Sequence, residues 1–144
     1  MKIAKTLGVA VVVAVIGVLG GPRADEPKTH DHSRETISPA FRVAIANAKG
    51  KNMIGVIVDY KPGGVTPPHR HGDAFIVAYV LSGSVRSQVD NGEVKTFRVG
   101  ESWTEDPGAH HRVSENASKT EPAKVLAIFV ADDNYKEFLF IDKR

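Results

Sequence analysis

The chain has 144 residues, enough for one domain with its own core and too few for two of ordinary size. It contains no cysteine, which excludes disulfides, thiol nucleophiles, thiolate zinc and iron–sulfur clusters and leaves histidine, carboxylate and amide as metal donors. The formal net charge of +2 becomes −1 once Lys2, Lys5 and Arg23 are set aside with positions 1–24, and no basic stripe then remains to suit a nucleic acid.

In chain order, residues 1–24 read as a signal peptide. Lys2 and Lys5 precede an apolar run from Leu7 to Leu19, followed by small residues and then by charged, proline-containing sequence. The run is short of the ~20 residues that a membrane span requires. Removal is therefore expected, with the cut between Gly20 and Asp25, no stable membrane anchor afterwards, and a periplasmic or secreted destination. Residues 25–36 form a polar, flexible N-terminal segment in which His30 and His32 have no shell to hold their rings. The folded domain is expected over residues 37–144.

Within that domain, Phe41, Val43 and Ile45 alternate with Arg42 and Ala44 as in a strand, and Met53 to Tyr60 is a second strand closed by Lys61-Pro62-Gly63-Gly64. Ala74 to Leu81 is a continuous apolar run between Gly72 and Gly83, which predicts a buried strand. Val85 to Val89 alternates strictly, and Asp90-Asn91-Gly92 supplies a tight turn before Glu93 to Val99. Further strands are expected at Gly100 to Thr104, His111 to Ser114 and Val125 to Val130, with a last strand or short helix between Tyr135 and Ile141. Many short strands at near-regular spacing predict an all-β sandwich or barrel.

Two histidine pairs stand out. His69 and His71 follow Pro67-Pro68, and residues two apart on an extended chain present their rings to one side. His110 and His111 follow Pro107-Gly108. Being adjacent, they face opposite ways, so only one can join the first pair, and three imidazoles leave coordination positions free on a metal.

These residues resemble the two motifs of the cupin family. Gly63, His69, His71 and Gly83 fall on the pattern G-x5-H-x-H-x3,4-E-x6-G, and Gly100, Gly108 and His111 on G-x5-P-x-G-x2-H-x3-N. The resemblance covers roughly Val56 to Val130. It implies a jelly-roll β-barrel in which the motifs meet and their histidines bind a divalent transition metal (Fe, Mn, Ni, Cu or Zn).

The chain also departs from the pattern. Ile76 stands where the motif's Glu belongs, Asp106 where its Pro belongs, and Glu115 where its Asn belongs, with Asn116 next. The implied metal site is therefore His69, His71 and His111, with Gln88 or Asp73 as candidates to replace the missing carboxylate. His110 is assigned to the rim, and Arg112 is expected to point away from the site.

The function these readings support is an exported metal-binding cupin acting on a small molecule, as a metal-dependent oxygenase or an isomerase. The alternative is a non-catalytic metal- or small-ligand-binding module. A homodimer is expected as well, because a long apolar strand such as Ala74 to Leu81 gains from a partner.

Overall fold

Proline at position 39 sets the character of the first strand seen in the computed structural model, which describes residues 34–142. Strand β1 (Glu35–Ala44) pairs with β2 (Lys51–Tyr60), and the register slips between Pro39 and Phe41. Proline has no N–H for the ladder, so it is tolerated on an edge strand at a bulge. Just past the bulge, the Phe41 ring lies against Gly55, where a side chain would collide with it.

The remaining strands are β3 (Val65–Thr66), β4 (His69–Arg70), β5 (Phe75–Ser82), β6 (Ser84–Val89), β7 (Lys95–Arg98), β8 (Ser102–Glu105), β9 (His110–Asn116), β10 (Ala123–Asp132) and β11 (Phe140–Ile141). No helix occurs among the described residues. A five-stranded sheet runs β1-β2-β10-β5-β8, and a six-stranded sheet runs β11-β4-β9-β6-β7 with β3 paired to β9. All pairs are antiparallel, and the expected all-β jelly-roll architecture is observed.

The sheets are joined at a tight corner. Gly83, between β5 and β6, has φ 67°, and a side chain there would strike the Pro122 carbonyl and the Ala123 backbone. Glycine alone adopts that conformation at no steric cost, which explains the closing glycine of the first motif. At the next hairpin, the Asp90 carboxylate accepts the backbone N–H of His110 at 2.8 Å and fixes where β9 begins.

Inward-facing side chains make the core. Ile54, Val56, Ile76 and Phe129 pack in one cluster, and Tyr60, Ala78, Val85 and Val125 in another. Strand β5 differs from its sequence reading in two ways. It alternates: Ile76, Ala78 and Val80 are buried, while Tyr79 and Leu81 face outward and are exposed, as suits an antiparallel sheet with one open face. It is also internal, flanked by β10 and β8, so its edges are already paired. The tail forms a strand at β11, against β4.

Candidate metal centre

Pro67-Pro68 holds the chain extended into β4, and the period-two rule turns His69 and His71 to the same side. Their ring centroids are 4.7 Å apart. The third ring arrives through sheet register: β4 pairs with β9 so that His69 stands directly opposite His111, with ring centroids 4.9 Å apart. All three rings are buried, and each offers a nitrogen within 4.8 Å of the others. His110 points the other way and pairs its Nε2 with Asp142 at 2.7 Å.

The nitrogens facing away from the cluster are each held. His69 Nδ1 donates to the Pro67 carbonyl at 2.7 Å, and His71 Nδ1 to the Phe138 carbonyl at 2.5 Å. Ser87 Oγ contacts His111 Nε2 at 2.9 Å. Carbonyls only accept, so the Nδ1 atoms of His69 and His71 carry the protons and their Nε2 atoms carry lone pairs. Those two Nε2 atoms face each other at 3.1 Å. Two neutral lone pairs at that distance repel unless a cation lies between them. Partners on the far side of the ring that fix the tautomer in this way are what metal-bound imidazoles require.

A carboxylate lies at the cluster that the sequence reading did not assign as a ligand. Glu105, 3 % exposed, ends β8 and reaches in from the five-stranded sheet. Its Oε1 lies 3.0 Å from His111 Nδ1, and its Oε2 lies 3.4 Å from His71 Nε2. Trp103 Nε1 donates to Oε1 at 3.1 Å, whereas Oε2 has no hydrogen-bond partner. The strand predicted from sequence stops at Thr104, one residue short. Alternation from half-buried Trp103 is the signal that places Glu105 on the inner face.

Charge in the cluster is unbalanced. Burial first, and the neighbouring rings of His71 and His111 next, push His69 down to about 3, and burial likewise lowers His71. Burial opposes ionisation of Glu105 too, but its contacts with His111, His71 and the Trp103 N–H outweigh that and hold it down to about 2. Ionised Glu105 beside neutral His69 and His71, without a lysine or arginine among the residues lining the cavity, suits a cation. The residues therefore fit a divalent transition metal by donor chemistry and by the unpartnered Glu105 Oε2.

A cavity of about 50 Å³ adjoins the cluster, walled by Val56, Ile76, Val125, Phe129 and Phe138 on its apolar sides. Its polar rim includes Tyr60, whose hydroxyl meets Thr66 Oγ1 at 2.6 Å and Ser114 Oγ at 2.8 Å. Thr66 donates to Glu35, so the chain of protons runs from Ser114 through Tyr60 and Thr66 to Glu35.

The other sequence candidates lie elsewhere. Gln88 is not brought to the cluster: its amide donates to the Gly92 carbonyl at 2.8 Å, because alternation along β6 turns Ser87 inward instead. Asp73 and Arg112 are exposed. At the end of the second motif, Glu115 pairs with Arg86 on the surface, while buried Asn116, the next residue, donates to the Lys61 and Glu121 carbonyls. The residues of the predicted signal peptide, and His30 and His32, lie outside the described residues.

Comparison with known proteins agrees with this geometry. The model of the cupin domain matches residues 56–129, just over half of the chain. A germin-like protein of Arabidopsis thaliana (subfamily 2 member 4) is 35% identical over 91 residues, covering 56% of this chain and 39% of that protein. Oxalate oxidase GF-2.8 of Triticum aestivum is 30% identical over 100 residues, covering 62% and 44%. The chain thus spans about two fifths of the length of these curated relatives. Among solved structures, a recombinant oxalate oxidase in complex with glycolate superposes with TM-score 0.59 at 20% identity, covering 81% of this chain and 58% of that one. The TT1209 protein of Thermus thermophilus gives 0.55 at 24% identity, covering 67% and 83%. With both motifs folded onto one antiparallel barrel and the family's model spanning them, the chain belongs to the cupin family.

Proposed function

We propose that this protein is an exported, metal-dependent cupin that binds a small molecule in its barrel and acts on it, with a divalent transition metal held by His69, His71 and His111. The observation that carries this reading is the pair of unprotonated Nε2 atoms facing each other at 3.1 Å, each fixed by a carbonyl on the far side of its ring. When bound, such a metal supplies Lewis acidity or a site for dioxygen.

The protein's own residues set what can react there. The cavity's walls are mostly apolar, and its volume of about 50 Å³ admits only a few heavy atoms. Small oxygen-bearing substrates of the kind named for the oxalate oxidase relatives suit that size. A dianion such as oxalate, however, would meet no lysine or arginine among the lining residues. We therefore assign a small neutral or singly charged molecule that binds through oxygen, with the Tyr60 hydroxyl as its polar contact across the cavity.

Titration of the metal-free full chain with Co2+, Mn2+ and Zn2+ tests the reading. One ion per chain is expected, and His69→Ala/His111→Ala is expected to abolish binding; a wild-type protein that takes up no ion defeats it. A non-catalytic binding module is the second reading, favoured by the small cavity, which Phe138 and Leu139 help to line. A metal with no exchangeable water would select it. Export predicts a mature N-terminus between Gly20 and Asp25, readable by mass. A homodimer finds support in the outer face of the five-stranded sheet, where exposed Tyr79 and Leu81 adjoin Leu126, and light scattering measures it.

A further inference from the structure

We infer that Glu105 is the fourth protein ligand of this centre, a carboxylate transposed from the motif position at Ile76 on β5 to the neighbouring strand β8. The inference rests on the three-histidine metal reading and adds to it a residue that stands at an unspecified position of the second motif, just before Asp106.

Register makes the transposition physical. Ile76 and Glu105 are direct cross-strand partners, so their side chains leave the same face of the sheet, one strand spacing apart. Both are buried and both line the cavity. The apolar side chain at 76 vacates the donor position and packs into the core with Val56 and Phe129, and the carboxylate enters from beside it.

The free donor atoms agree. After the outward nitrogens are accounted for, His69 Nε2, His71 Nε2 and His111 Nδ1 remain, and Glu105 is the carboxylate that meets two of them. Donors bound at roughly 2.1 Å to one ion lie ~3.0 Å apart at right angles and ~3.4 Å apart at tetrahedral angles. The observed separations are 3.1 Å for His69–His71, 3.0 Å for His111–Glu105 and 3.4 Å for His71–Glu105. Yet Glu105 Oε2 has no hydrogen-bond partner, and His111 Nδ1 meets only Glu105 Oε1, at 3.0 Å. A buried polar atom left without a partner is unusual in a folded protein, and a shared cation satisfies it. The competing role, in which Glu105 only orients His111, leaves Oε2 unexplained.

The test is Co2+ titration of the metal-free full chain with the visible absorption of the bound ion recorded, for wild type, Glu105→Gln and Ile76→Glu/Glu105→Gln. Glu105→Gln is expected to bind at least tenfold more weakly with shifted Co2+ bands, and the double variant to return to within tenfold of wild type. A folded Glu105→Gln protein with less than a tenfold loss, or with unshifted bands, overturns the proposal while the three-histidine centre stands. If Glu105→Gln does not fold, the double variant decides alone: binding within tenfold of wild type supports the transposition, and weaker binding overturns it. Wild-type protein that binds no Co2+ removes the metal centre itself, and this proposal with it.

Discussion

The two walls of the barrel contribute to the site in different ways. The six-stranded sheet supplies all three imidazoles from β4, the residue after it, and β9, held by that sheet's own register and by Ser87 of β6. The five-stranded sheet supplies apolar surface and one carboxylate, Glu105, at the end of β8. One wall is thus a dense set of short-range, pairwise-fixed donors, and the other is a packed core with a single charge set into it. The difference teaches that the donors fixed by local spacing and those fixed by cross-sheet approach have separate origins and can be varied separately.

Breaking the imidazole wall should have the largest effect. His111→Ala removes a donor and leaves Glu105 buried without its partner, so metal affinity should fall by more than the ~10–100-fold typical of losing a group that only supports a ligand; equilibrium titration measures it. The walls are also tied by Tyr60 of β2, which bonds Thr66 of β3 and Ser114 of β9. Tyr60→Phe leaves both hydroxyls short of a partner and should lower unfolding free energy by about 1–3 kcal/mol, read by urea denaturation.

A smaller loss is expected from Ser87→Ala, which frees His111 Nε2 without removing a donor. Affinity should drop by about tenfold, at the low end of the range for supporting groups, with the fold intact by circular dichroism. Gln88→Ala, one residue along the same strand, should leave metal affinity unchanged within about twofold, since its amide serves only the turn at Gly92. Equal losses at Ser87 and Gln88 would break the distinction between inward and outward faces of β6.

The imidazole wall was largely legible in the sequence for this reason. Period-two alternation says that His69 and His71 share a side and that His110 and His111 cannot, and Pro and Gly mark where the strands start. The jelly-roll class was readable from the same turns. The carboxylate was not assigned, because alternation from Trp103 turns Glu105 inward but what it meets there is set by the pairing of β8 with β5, a contact between segments about thirty residues apart. Gln88 looked suitable because it shares the polar register of Arg86 along β6. Near the bulge where Val89 meets His111, however, that register faces away, and Ser87 occupies the inner face. The short strands β3 and β4 were also beyond reach, since two residues carry no period and take their pairing from β9.

The central claim is one metal ion held where the two walls meet. The direct measurement is anomalous diffraction at the cobalt edge from crystals of the wild-type protein loaded with Co2+. The account predicts a single strong peak bounded by His69 Nε2, His71 Nε2, His111 Nδ1 and Glu105. A peak at His110 and Asp142 instead, or none at the cluster, would contradict it.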